Sequence, residues 1–223
     1  MTYDESTLVG RILALADREI GTKESPMYSN TVKYNTAYYG KKVGGDYPWC
    51  CVFIWWLFRQ VGAPQLFFGG GKTAYCPALL NYHKKQKVTD YRPGDIIFFN
   101  FKGRSTAAHV GICEAWDGSF ITTIDGNTGT SNEANGGAVM RRKRAKKLIV
   151  GAYRPNYEEM DTVTQEQFNE MMEAWLAERA KLSGSNWSRM PEAKKLGISD
   201  GTRPQSLATR EEVATMMVNA LKK

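Results

Sequence analysis

Residues 47–58 read YPWCCVFIWWLF, two adjacent cysteines at the head of a bulky apolar run. The chain has only two histidines, His83 and His109, so a thiol–imidazole pair has few possible members. His83 lies in YHKKQK, among lysines, and reads as solvent-exposed. His109 lies in TAAHVGICEAW, at the start of an apolar strand with small neighbours, and Asp125 and Asn127 follow in TIDGNT. A lone strand histidine is more often structural than catalytic; the acid and amide nearby raise the weight of this one. A thiol at a helix N-terminus feels the positive end of the helix dipole, which favours thiolate. An imidazole can take the thiol proton and deliver it to a leaving amine. A carboxylate or amide then fixes the tautomer of that imidazole. Helical geometry does not separate Cys50 from Cys51, because nearly every position from 49 to 58 is apolar.

The elements that must position these residues can be read from periodicity. Leu8, Ile12, Leu15, Ala16 and Ile20 recur at helical spacing, and Gly21 stops that helix. The segment GTKESPMYSNTVKYNTAYYGKKVGG reads as loop with short turns. Pro48 opens the cysteine helix, which ends before Gly62 and Pro64, and residues 73–83 form another short helix. After YRPGD come short strands: IIFFNF, AHVGICEAW, FITTIDGN, AVMRRK and LIVGAYRP. Helices followed by a run of strands predict an α+β fold with an antiparallel sheet.

Residues 1–157 carry 21 Lys and Arg against 12 Asp and Glu, a net +9; residues 158–223 carry 9 against 11, a net −2. A basic body points to an anionic partner, and charge alone does not separate nucleic acid from a wall polymer. The apolar run at 49–58 is far shorter than the ~20 residues of a membrane span. The N-terminus reads as an amphipathic helix rather than a signal peptide. Four cysteines without a CxxC pair or a histidine-rich partner argue against zinc.

YPWCCVFIWWLF resembles the nucleophile helix of CHAP domains, the cysteine- and histidine-dependent amidohydrolase/peptidase family. The likeness extends to GTKESPMYSNTVKYN upstream and to YRPGDIIFFNF, AHVGIC, IDGNT and IVGAYRP downstream, and spans roughly residues 5–157. It implies a papain-like fold, N-terminal helices on an antiparallel sheet. It implies Cys50, directly after Trp49, as nucleophile and Cys51 as packing. His109 takes the place of the base, Asp125 that of an acid that is often Glu in relatives, and Asn127 that of the amide two residues on; which of the two orients His109 stays open. Tyr47 and Trp49 are the substrate-binding candidates, Tyr47 with a phenol for the oxyanion. Some members bind calcium through acids ahead of the nucleophile; YYGKKVGGDYPW offers only Asp46, so no metal and no cofactor is expected.

FFGGGKTAY resembles a phosphate loop, but Leu66 stands where such a loop needs glycine. RRKRAKK at 141–147 reads as a solvated edge or a contact for anionic wall polymers. The acidic stretch at 158–164 reads as a linker. Residues 165–223 are expected to be a small all-α domain, with an apolar stripe on Phe168, Met171, Met172, Trp175, Leu176, Ala180 and Leu182 that reads as core or interface, and a capping box on Thr209 and Glu212. WSRMPEAKKLGISDGTRPQSLATREEVATMM resembles one S-layer-homology unit, which implies wall binding; a helical appendage for self-association is the competing reading. Together these resemblances imply a bacteriophage endolysin of a Gram-positive host. Such a protein waits in the cytoplasm and then cuts an amide bond in peptidoglycan, with no nucleic acid and no membrane span involved. The competing class is a non-catalytic wall-binding protein with a degenerate domain.

Overall fold

A computed structural model describes residues 2–158 together with 169, 172–175, 177, 195, 196, 213, 217 and 218. The chain divides into two compact units, Met1–Asp161 and Thr162–Lys223. Residues 169, 172–175, 177, 195, 213, 217 and 218 are helical, and 196 is a turn. The linker, the S-layer-homology-like unit, the capping box and the expected all-α domain otherwise lie outside the described residues.

Helix α1, Leu8–Arg18, starts where Thr7 accepts a hydrogen bond from the Gly10 N–H. Leu8, Ile12, Leu13 and Ala16 are buried, as the helical spacing requires. Helix α2, Lys33–Tyr39, falls where the sequence reads as loop. It lacks a side-chain cap and is rich in polar and aromatic residues, so propensity does not announce it. Packing forms it instead: the buried Tyr34 ring meets Trp49, Phe53 and Trp56 at 5.0–5.2 Å between centroids. Helix α3, Cys50–Gln60, begins two residues after Pro48, with Trp49 at its cap. Eight of its residues are buried, Cys50 through Trp55 with Leu57 and Phe58, so α3 is the central pillar of the domain. Short helices α4, Gln65–Phe68, and α5, Cys76–Tyr82, follow.

The strands are β1, Ile96–Phe99; β2, His109–Trp116; β3, Phe120–Thr128; β4, Ala138–Ala145; and β5, Ile149–Tyr153. They form one sheet in the order β4-β3-β2-β1-β5, antiparallel throughout. Side chains alternate between its faces. Ile96, Phe98, Val110, Ile112, Ile124 and Val139 join the core with α3. Ile97, Phe99, Cys113, Ile121 and Ala152 form a second, smaller cluster with Tyr91, Phe101 and Trp116. The expected α+β fold with an antiparallel sheet is what the described residues show.

Two readings need correction. His83 is buried, not exposed: Nε2 lies 2.6 Å from the Phe67 carbonyl, Nδ1 meets Gln86, and the ring stacks on Tyr153 at 3.8 Å. The neighbouring Lys84 and Lys85 are exposed while the imidazole turns inward. The basic run does lie on the sheet's edge strand β4 with Arg141 and Lys143 exposed, but acids pair with it and Arg144 departs from the solvated-edge reading. Arg141 pairs with Glu114 at 2.6 Å and Asp17 at 2.5 Å, Lys143 with Asp117 at 3.0 Å, and Arg144 is buried. Strand alternation splits the run between two faces, and acids meet it on both. In the glycine stretch after α4, Lys72 donates to the Tyr38 carbonyl at 2.6 Å and lies 4.6 Å from that ring. No helix among the described residues is long and apolar enough to cross a membrane.

Candidate active site

Cys50 is the first residue of α3, where the leading N–H groups have no intrahelical carbonyl. The helix is held there from behind. Trp49, fully buried, donates its Nε1–H to Glu24 at 2.7 Å, and the other Glu24 oxygen accepts from the Asn30 N–H at 2.9 Å. The Trp49 ring therefore fixes the start of the helix from inside the core, which corrects the expectation that it faces substrate. Tyr47 is partly exposed and packs edge-on against Tyr39.

His109 opens β2 and is fully buried. Its Nε2 lies 2.9 Å from Asp125 Oδ2 on β3. Gly111 makes room for this pair: a Cβ there would sit 2.0 Å from Asp125 Oδ1. Gly126 serves α3 in the same way, since its Cβ would collide with Phe53 at 2.4 Å and Trp49 at 2.8 Å. The two glycines of HVG and DGN thus let helix and strands approach closely enough for thiol and imidazole to interact.

The protonation of the pair is set by what surrounds it. The Cys76 Sγ lies 3.7 Å from the Cys50 Sγ. This thiol contact, with burial behind it, pushes the Cys50 thiol well above its ordinary value, while His109 pulls it down. The expected lowering of this thiol by its helix-start position is therefore not what the surroundings produce: the Cys76 contact and burial raise it. For His109, burial is the strongest influence and lowers the pKa. The bond to Asp125 and the adjacent Cys50 outweigh it and push the imidazole up to about 9. Asp125 is also fully buried. Burial raises its pKa, but the Arg144 charge and the His109 bond outweigh that and hold the carboxyl below the ordinary range. His109 Nδ1 has no hydrogen-bond partner, although it is buried. A ring nitrogen left unpaired beside a thiol is the acceptor that a general base requires.

Asn127 does not touch His109. At the bulge that ends β3 it takes φ of 56°, and its Nδ2 donates to Asn135 at 2.8 Å and to Asn30 at 3.3 Å. Of the two candidates for orienting the imidazole, Asp125 makes the contact, and Asn127 pins the loop beneath it. Cys51 is fully buried and packs in the core. Glu24, Asn30 and Cys76 escape a reading of sequence, because they reach the site from 20 or more residues away. Among the described residues, no group of three His, Cys, Asp or Glu side chains could hold a metal ion. A cavity of about 710 Å³ lined by Lys87, Arg92, Arg154 and Tyr157 includes none of Cys50, His109 and Asp125, and Arg154 there is tied to Asp95 at 2.8 Å.

No curated protein sequence matches the chain. Among solved structures it is similar to the one titled "The crystal structure of Ly7917", at 16% identity and a TM-score of 0.40; the match covers 67% of this chain and 63% of that one. The family model that matches is that of the CHAP domain, and it covers residues 42–127, the stretch that carries Cys50, His109, Asp125 and Asn127.

Proposed function

We propose that this chain is a peptidoglycan hydrolase that cuts an amide bond through Cys50. One observation carries the reading. A helix-start thiol, an imidazole with one free nitrogen and a buried carboxylate come together within the stretch that matches the CHAP domain. His109 Nδ1 takes the Cys50 proton, and the sulfur attacks the scissile carbonyl carbon. The oxyanion is held by N–H groups of the first turn of α3. The tetrahedral adduct collapses to a thioester as His109 passes its proton to the leaving amine. Water, deprotonated by the same nitrogen, then releases the acid and restores the thiol. Asp125 keeps the proton on Nε2, so that Nδ1 stays the base. Tyr47, exposed three residues ahead of Cys50, lines the approach for substrate.

The bond is the N-acetylmuramoyl-L-alanine amide or a peptide bond of the stem or cross-bridge. The role is that of an endolysin of a Gram-positive host, held in the cytoplasm until lysis and then acting on the wall. The net charge of residues 1–157 supports an anionic substrate environment, although the acids around residues 141–144 neutralise much of that run. Purified Gram-positive walls, treated with wild type, Cys50→Ala and Cys51→Ala, provide the test. Clearing by wild type and Cys51→Ala but not by Cys50→Ala is the expected result, and mass spectrometry of new termini identifies the bond. Wall binding by all three proteins without released fragments overturns catalysis and leaves a wall-binding protein.

A further inference from the structure

The sequence places Arg144 in a basic run and marks it as surface charge. The structure puts it under the proposed site. It is buried at 3% exposure, on the same sheet face as Thr123 and Asp125. Its guanidinium lies 4.8 Å from the Phe99 ring and 5.2 Å from the Phe101 ring. Nη1 donates to Asp125 Oδ2 at 2.7 Å and to Thr123 Oγ1 at 3.2 Å; Nη2 donates to Thr128 Oγ1 at 3.4 Å; Nε donates to Glu133 Oε2 at 2.7 Å. The Asp125 oxygen that faces His109 is therefore also the one that Arg144 grips, and Asp125 Oδ1 has no partner. The carboxylate is thus held chiefly through Oδ2, by His109 and Arg144, with Thr123 beside it. Arg144 and Glu133 both lie beyond the residues that match the family model.

We propose that Arg144 is a positioning residue of the site, which clamps the Asp125 carboxylate onto His109 and, through a balance with Glu133, sets the electric field on the Cys50–His109 pair. The inference rests on the reading of Cys50 and His109 as a working pair. The charged and titratable groups facing Asp125 are His109 from β2 and Arg144 from β4, with Glu133 on the β3–β4 connection behind Arg144. Arg142 lies 3.6 Å from that same Glu133, and Cys50 and Cys76 lie beyond His109. Arginine fits this place because a fork can hold Asp125, Thr123, Thr128 and Glu133 at once, whereas a lysine offers one point charge.

The sign follows from charge alone. Removing a cation disfavours every deprotonated state nearby, so Cys50 and His109 lose protons at higher pH. Removing the Glu133 anion does the reverse. The test is the pH dependence of two rates for the full-length chain: wall clearing, and alkylation of Cys50 by iodoacetamide followed by peptide mass spectrometry. Arg144→Met should move both profiles up by about one pH unit, and Glu133→Gln should move them down by a few tenths of a unit. Arg144→Lys should return the profiles near their wild-type position while clearing stays about tenfold or more below wild type, because charge is restored and the fork is not. Glu133 is partly exposed, so its variant keeps the test alive if Arg144→Met does not fold. Profiles that drop in amplitude without moving in opposite directions overturn the inference. If wild type never clears walls, the alkylation arm still decides it: opposite shifts there keep the inference and overturn only the hydrolase reading.

Discussion

The two histidines of this chain are both buried, and they could hardly differ more in what they are free to do. His83 has both ring nitrogens engaged, by the Phe67 carbonyl and by Gln86, and its ring is stacked on Tyr153. His109 has one nitrogen held by Asp125 and the other unpaired beside a thiol. Burial therefore does not mark the base; an unmet hydrogen-bonding atom beside a nucleophile does. A buried polar atom left unpaired costs about 1–3 kcal/mol, so its persistence in one histidine and not the other needs a reason. The proposed chemistry supplies one.

That contrast can be broken most sharply at the two imidazoles and their partners. His109→Ala or Cys50→Ala should lower wall hydrolysis about 10³-fold or more, measured as initial clearing rate per folded protein, with the thermal melt preserved. Asp125→Asn should cost about 10²-fold or more, because the amide can hold Nε2 in the wrong tautomer and leaves Arg144 without its counter-charge. The pH profile comes next. His109, pushed up to about 9, is protonated at neutral pH, and attack requires the pair to lose one proton. The clearing rate should thus climb from neutral pH toward about 9. Cys76→Ala removes the thiol that holds Cys50 high, and should move that rise to lower pH by about one unit, as read from stopped-assay rates across pH. The smallest effect on catalysis is expected at the other histidine. His83→Ala should leave the turnover of folded protein unchanged and lower stability by about 1–3 kcal/mol in urea melts.

The difference between the two histidines also explains what could be read in advance. The five strands follow short runs rich in β-branched and aromatic residues set off by turn residues, and α3 follows its continuous apolar run, because both signals are local. Helix α2 was hidden, since KYNTAYY has neither a cap nor an apolar stripe; its Tyr34 and Tyr38 become core only when Trp49, Phe53, Trp55 and Trp56 are beside them. Cys50, His109 and Asp125 were legible as types that suit one chemistry, and the structure brings them together. Their supports were not. Glu24, Asn30, Cys76 and Arg144 look ordinary where they stand in the chain, and acquire meaning through contacts across 16 to 97 residues. Arg144 was the most concealed, because a run of six cations reads as solvated surface until strand pairing turns alternate members inward. His83 failed for the same reason in reverse: its lysine neighbours are exposed and the imidazole is not.

The central claim is that Cys50 carries the acyl group from the wall. A soluble peptidoglycan fragment, mixed with the protein and quenched in acid within the first turnover, places that claim on one residue by peptide mapping. The account predicts a thioester mass adduct on the peptide that contains Cys50, retained in Cys51→Ala and absent in Cys50→Ala. Hydrolysis that persists in Cys50→Ala, or an adduct on Cys51 or Cys76, would contradict it.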